Sequence, residues 1–252
     1  MTLLSKLMNP NFRIFIPARM ESTRFPGKPL APIKGVPMVI YIARTAMSTG
    51  YPTTVCTDSA EIHQICTFYS IDCLLTPPFH TGTDRIAWSS TQLISDFIIN
   101  LQGDEPLITT EALLTFIEFV KNSTHISPIF NAVTYVGSQE AFDQNNVKCV
   151  LNTSSGRIIY FSRLPIRVFE NTDCSMPFLK QLGLYCFSYE ALQNFVSLPQ
   201  SPLELTERVE LLRMIENNIE IYSFDVKAKT LSVDTPADFV KVLEYLDILA
   251  ND

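Results

Sequence analysis

The chain has 252 residues, 46% of them hydrophobic and 18% charged, which supplies a sizeable core and excludes a disordered chain. That length suits one large α/β domain or two small ones. A net charge of −7 makes the chain a poor non-specific binder of nucleic acid.

In chain order, Arg13 to Ile16 reads as a first strand that breaks at Pro17. Residues 36–48 carry Val39, Ala43, Ala46 and Met47 at helical spacing and close on Gly50. "TTVCTD" (53–58) predicts a strand, 59–69 a helix, "DCLLT" (72–76) a strand and 83–93 a helix. "DFIINLQ" (96–102) is a continuous apolar run of the kind buried on both faces. Residues 109–121 predict a helix with Leu113, Phe116, Ile117 and Val120 inward. This alternation predicts a mostly parallel sheet with helices on both faces.

After residue 128 the rhythm changes. "NAVTYV", "VKCVLN", "GRIIYFSR" and "LGLYCFSY" read as strands with little helix between them, a mixed or antiparallel extension. "FENTDCSMPFLK" (169–180) reads as a long excursion, 201–217 as a helix, "IEIYSFD" as a strand and 235–249 as a closing helix. No linker or repeat divides the chain, so residues 1–252 are expected to form one domain. None of the six cysteines forms C-x-x-C and only three histidines are present, which argues against zinc. No apolar run reaches the roughly eighteen residues of a membrane span, and residues 1–8 lack the apolar core of a signal peptide. The expected setting is reducing and cytoplasmic.

Three segments suggest chemistry. "IPARMESTRFPGKPL" places Arg19, Arg24 and Lys28 in a loop with Ser22, Thr23, Pro26 and Gly27. It is neither a P-loop nor a G-x-G-x-x-G turn, yet Arg and Lys beside backbone N–H groups suit a discrete phosphate. Charge alone fits a solvated cationic loop equally well. "NLQGDEPL" sets Asp104 and Glu105 at the carboxyl end of a strand, where two carboxylates suit Mg²⁺, although G-D-E-P is also an ordinary turn. In "SVDTPADF", Thr235 reads as N-cap, Pro236 as first helical residue and Asp238 as partner in a capping box. Asp234 is then available as a second metal ligand, or as a charge favouring the helix N-terminus.

With "HTGTDR", "YFSR", "LGLY" and "SPLELTERVELLR", these segments occur in the order found in 3-deoxy-manno-octulosonate (Kdo) cytidylyltransferases, and the chain resembles that family from residue 16 to 238. The resemblance implies a Rossmann-like nucleotidyltransferase fold, Mg²⁺, a homodimer and a role in lipopolysaccharide precursor supply. It implies that CTP and a 2-keto-3-deoxy sugar acid give the CMP-sugar and pyrophosphate. Carried over by motif, Arg19, Ser22, Arg24 and Lys28 would hold the CTP phosphates, with Lys28, Arg19 and Asp104 the catalytic set. Thr83, Arg85 and Gln102 would lie near the nucleotide, and Asp104 and Asp234 would hold Mg²⁺. Arg163 would face the sugar-acid carboxylate. Glu204 and Glu207 are sugar-side candidates, although Ser201 and Glu204 also fit a capping box. The segment about 155–200 is expected to serve sugar binding and dimerisation.

Two positions depart from the family pattern. Thr81 stands where the family has Ser and keeps a hydroxyl. Gln181 stands where the family has His; it still hydrogen-bonds but does not titrate near neutral pH, which leaves 8-amino-Kdo or a sialic-type acid open as substrate. A catalytically silent nucleotide-binding subunit is the alternative from another class.

Overall fold

The computed structural model describes residues 10–123, 129–166, 178–229 and 231–251. In chain order the strands are β1 (Phe12–Ala18), β2 (Pro32–Ile33), β3 (Val36–Pro37), β4 (Thr53–Thr57), β5 (Cys73–Leu75), β6 (Phe97–Leu101), β7 (Ile129–Val136), β8 (Lys148–Leu151), β9 (Ile158–Ser162), β10 (Phe178–Ser188) and β11 (Tyr222–Asp225). The helices are α1 (Met38–Met47), α2 (Ala60–Phe68), α3 (Gly82–Gln92), α4 (Thr110–Asn122), α5 (Ser138–Phe142), α6 (Tyr189–Ser197), α7 (Pro202–Glu207), α8 (Leu212–Glu216) and α9 (Pro236–Asn251).

One sheet runs β11-β7-β10-β6-β1-β4-β5, with β8 branching from β10 and pairing in turn with β9. β1, β4, β5 and β6 are mutually parallel. β10 is antiparallel to both β6 and β7, so β7 and its parallel partner β11 run in the β6 direction. The expected antiparallel extension is therefore narrower than the strand-rich sequence suggests. It comprises the reversed β10 and the β8–β9 branch.

Alternation along β1 explains the two covered faces. Phe12, Ile14 and Ile16 join one core with Val39, Ile42, Leu113, Phe116, Val242 and Leu246 from α1, α4 and α9. Phe15 points the other way, to Ile86, Leu192, Phe195 and Leu212 from α3, α6 and α8. Full burial of each such side chain contributes about 1.5–3 kcal/mol.

Three further sequence expectations are corrected. β1 does not stop at Pro17. Ile14 donates its N–H to the Pro52 carbonyl beside β4, so the nitrogens of Phe15 and Pro17 face β6, whose pairing ends at Phe15. The missing Pro17 N–H therefore interrupts no ladder bond. A helix absent from the strand-rich reading, α6, begins at Ser188, whose hydroxyl accepts from the Ala191 N–H. The single helix expected over 201–217 is two, α7 and α8, because Arg208 adopts a left-handed conformation (φ 54°) between them. The excursion read at 169–180 lies outside the described residues except for 178–180, which open β10.

Candidate active site

Parallel strands deliver their following loops to one edge of the sheet, and ligands of such sheets sit in the crevice there. The ends of β1 and β6 meet tightly at that edge. A Cβ on Gly103 would lie 2.6 Å from the Pro17 carbonyl oxygen, so only glycine lets the turn after β6 pass β1. Above this junction opens a cleft of about 970 Å³, lined among others by Arg19, Ser22, Arg24, Lys28, Arg85, Gln102, Asp104, Arg163, Glu210 and Asp234.

The cationic loop after β1 is folded on itself. The Ser22 hydroxyl accepts from the Phe25 N–H (3.3 Å), and Gly27 (φ 70°) turns the chain into a short 3-10 helix at Lys28–Leu30. Phe25 packs edge-on against Phe239 of α9 at 5.7 Å. Lys28 Nζ donates to Asp104 Oδ2 (3.0 Å) and to the Val233 carbonyl (2.7 Å). Arg24 donates to Asp234 Oδ1 (2.8 Å) and Asn145 Oδ1 (3.2 Å), and Arg19 to the His80 carbonyl (3.1 Å). The loop is thus a built part of the cleft wall.

Asp104 and Asp234 come together across the cleft, and the Val233 N–H donates to the Asp104 carbonyl (2.8 Å). Burial, and next the Asp104 carboxylate, raise the pKa of Asp234, while Arg24 and Lys28 oppose the rise. Thr235 caps α9 as expected: its N–H donates to Asp238 Oδ2 (2.9 Å), and its hydroxyl accepts from the Asp238 N–H (3.3 Å). Glu105 does not join Asp104 at the edge, as its sequence position suggested. It turns inward, 4% exposed, and its Oε1 accepts from Ser232 Oγ (2.6 Å) and the Gly183 N–H (3.1 Å). Burial, and then the Asp104 carboxylate, raise its pKa, while Lys180 and the bonds from Ser232 and Gly183 oppose the rise.

Other expected residues divide. Gln102 lines the cleft, its Nε2 donating to Asn100 Oδ1 (3.2 Å). Arg85 reaches the cleft wall, but its guanidinium is committed to Asp58 (2.7 Å) and the Thr76 hydroxyl. Thr83 is buried and donates to Glu210, so it orients that carboxylate and does not face the cleft. Arg163 lines the cleft and donates to the carbonyls of Glu207 (2.8 Å), Gln144 (2.9 Å) and Arg208 (3.2 Å). The left-handed Arg208 aims two of these carbonyls.

Glu207 and Glu204 correct the sugar-side expectation. Glu207 Oε2 accepts from the Arg163 N–H (2.8 Å), which makes Glu207 a brace for β9 outside the cleft lining. Glu204 is 3% exposed, closes the capping box with Ser201 and pairs with Arg213 (2.6 Å). Arg213 in turn lies over the Phe195 ring at 4.3 Å. A carboxylate so satisfied is structural. Gln181 is buried in β10 beside a register shift, outside the cleft lining, with its Nε2 unpartnered among the described residues. Sequence reading missed Glu210, which the break at Arg208 turns into the cleft, and Asn145, the second partner of Arg24. A continuous-helix reading carries no signal for Glu210, and no local pattern marks the exposed turn that holds Asn145.

A cleft with cations facing paired carboxylates can hold a polyphosphate and stabilise charge moving along it. Comparison with known proteins agrees. The family model for cytidylyltransferases matches residues 14–221. The chain is 39% identical to the 3-deoxy-manno-octulosonate cytidylyltransferase of Wolinella succinogenes, across 92% of this chain and 98% of that protein. It is 34% identical to the Escherichia coli protein of the same name, across 91% and 93%. A solved structure of CMP:2-keto-3-deoxy-manno-octonic acid synthetase complexed with CTP superposes with a TM-score of 0.87 at 33% identity, covering 94% of this chain and 98% of that one. A cytidylyltransferase from Leptospira borgpetersenii, 17% identical with a TM-score of 0.63, shares the fold. The Rossmann-like nucleotidyltransferase fold, the ordered motifs and these identities together place the chain in the 3-deoxy-manno-octulosonate cytidylyltransferase family.

Proposed function

We propose that this enzyme is a nucleotidyltransferase that couples CTP to 3-deoxy-manno-octulosonate, giving the CMP-sugar and pyrophosphate for lipopolysaccharide biosynthesis. The anomeric hydroxyl oxygen of the sugar acid bonds to the α-phosphorus of CTP, and the bond from that phosphorus to the bridging oxygen breaks. The hydroxyl proton passes to solvent, and the bond electrons leave with pyrophosphate. The observation that carries this reading is the meeting of Lys28 and Arg24 with Asp104 and Asp234 in one cleft at the carboxyl edge of the sheet.

In this reading Arg19, Arg24 and Lys28 bind the phosphates, and Lys28 offsets charge growing toward pyrophosphate. Ser22 fixes the loop that carries them. Gln102 and Glu210 face the bound substrates, and Arg163 meets the sugar-acid carboxylate. Asp104 and Asp234 are the residues that would hold Mg²⁺. They fit it. Burial first, and then the Asp104 carboxylate, raise the pKa of Asp234, a cost that a bound cation would relieve. Among the described residues no cluster of three or more His, Cys, Asp or Glu forms a closed cage, and Mg²⁺ is ordinarily held by one or two carboxylates with waters and substrate phosphates. When bound it supplies charge neutralisation on the phosphate oxygens.

Gln181 belongs, in our reading, to the sugar side, its amide nitrogen, unpartnered among the described residues, being the observation that keeps 8-amino-Kdo as a second candidate substrate. A homodimer is supported by β9, whose one partner strand among the described residues is β8, apart from the Ile158 N–H bond to the Ile221 carbonyl at its start, and which exposes Ile159, followed by exposed Leu164 and Ile166. No described helix is long and apolar enough to cross a membrane. One sheet running from residue 12 to 225 with α9 packed back on it supports a single domain. The test is Mg²⁺-dependent pyrophosphate release from CTP with Kdo, 8-amino-Kdo and sialic acid in parallel. Release with Kdo is expected, and silence with all three would sink the assignment.

A further inference from the structure

The exposed turn at residues 143–146 supplies one contact to each of two cleft arginines. The Gln144 carbonyl accepts from Arg163 (2.9 Å), and Asn145 Oδ1 accepts from Arg24 (3.2 Å). These arginines approach from different parts of the chain, Arg24 from the loop after β1 and Arg163 from the end of β9. Arg24 also bonds Asp234. A loose turn could hold neither in register.

What anchors the turn lies beneath it. Lys148, the first residue of β8, is 2% exposed. Its ammonium donates to the carbonyls of Asp143 (3.0 Å), Asn146 (2.6 Å) and Arg163. An ammonium has three donors and no acceptor, so every donor is used, and all on backbone carbonyls. Two of those carbonyls bracket the turn, and the third belongs to the residue whose side chain the turn contacts. Among the described residues no carboxylate bonds the charge. A buried cation without a direct counter-ion is expensive, and a leucine or methionine would fill the same space without that cost. The arrangement makes sense where the three carbonyls must be held at one point.

We infer that Lys148 is a positioning residue for the nucleotidyl transfer: through the turn at 143–146 it sets Arg24 and Arg163 at their places in the cleft. The inference rests on the cleft being the CTP and sugar-acid site. It differs from a purely structural role because Lys148 should matter to turnover only through those two arginines.

The test is a set of double-mutant cycles read as kcat/KM for CTP and for Kdo. Lys148→Met keeps most of the length of the side chain and removes the donors. Arg24→Gln and Arg163→Gln are each made in the wild type and in Lys148→Met, with Lys28→Met as a cleft residue that the turn does not touch. In the wild type each arginine variant is expected to lose about 10-fold or more, as loss of a charged hydrogen bond does. In Lys148→Met the same changes should cost no more than about 3-fold further, because coupled sites are non-additive. Lys28→Met should lose the same factor in both backgrounds. Additive losses at both arginines, with only a lowered melting temperature from Lys148→Met, would overturn the inference and leave Lys148 a fold residue. No loss from either arginine in the wild type would instead overturn the reading of the cleft. If Lys148→Met does not fold, Lys148→Gln, which keeps two donors, carries the same cycles. Failure of both to fold would likewise assign Lys148 to the fold alone.

Discussion

Replacing Lys28 by methionine keeps most of the side-chain volume and removes one charge from the centre of the cleft. In the free enzyme that charge makes two contacts, to Asp104 at 3.0 Å and to the Val233 carbonyl at 2.7 Å. The Asp104 side chain is 32% exposed, so water can solvate it once its partner is gone. The stability lost is therefore of the order of 1 kcal/mol. For a chain of this size that lowers the melting temperature by roughly 2–4 °C, too little to deplete the folded state at 25 °C. The kinetic loss should be far larger. A unit charge about 4 Å from a developing anion in a partly wet cleft contributes about 4 kcal/mol. Loss of one preorganised electrostatic contact typically lowers turnover by about 10²–10³. The assay is continuous pyrophosphate release at saturating CTP, Kdo and Mg²⁺, with thermal melts on the same preparation. A fall in kcat by that factor with a small change in melting temperature is expected. Unchanged kcat with a raised KM would show that Lys28 binds ground and transition states equally. Unchanged values of both would make it a surface cation and refute the reasoning.

Asp104→Asn and Asp234→Asn should each raise the Mg²⁺ concentration for half-maximal rate with the fold intact; an Asp234 variant that loses only a fraction of a kcal/mol of stability, with unchanged metal dependence, would reduce that residue to a helix-end charge. Glu204→Gln leaves Arg213 charged and buried, since both partners are only 4% exposed, and should cost about 3–5 kcal/mol in urea unfolding with little effect on the KM for Kdo at low temperature. Burial first, and then Asp84 and Glu204, raise the pKa of Glu210 above the ordinary glutamate value, against the Thr83 hydroxyl bond. The stability this group contributes is therefore complete below about pH 4.3 and is lost as pH rises through its folded value. Glu210→Gln should lack that loss, so urea melts of variant and wild type should diverge as pH rises from 4 toward 8 in favour of the variant; a constant difference would count against it. Gly183→Ala would set a Cβ 2.8 Å from Gln102 Cβ and 2.9 Å from Glu105 Cγ, and should destabilise by about 1–3 kcal/mol.

Local signals carried much of this protein. The apolar run 96–102 became β6, buried on both faces from Ile98 to Leu101, because such a run has no polar side to expose. Thr235, Pro236 and Asp238 gave the start of α9 because a cap is settled within four residues. The cationic loop and the two aspartates were legible because charge clusters in an acidic chain stand out. What distance in sequence hides, the tertiary fold decided. Glu105 and Asp104 are neighbours, yet one is buried under Ser232 and Gly183 while the other faces the cleft, because the turn at Gly103 must clear Pro17. The capping box of Ser201 and Glu204 was legible, but the ion pair of Glu204 with Arg213 and the bond from the Arg163 N–H to Glu207 join residues on different elements, which only the fold brings together. The direction of β7 follows from β10 reversing between it and β6, a pairing choice made over dozens of residues. Periodicity also passes through Arg208 without a mark. One left-handed residue there costs about 1–2 kcal/mol, and only its tertiary partners, the carbonyl contacts that cradle Arg163, show why the chain accepts it.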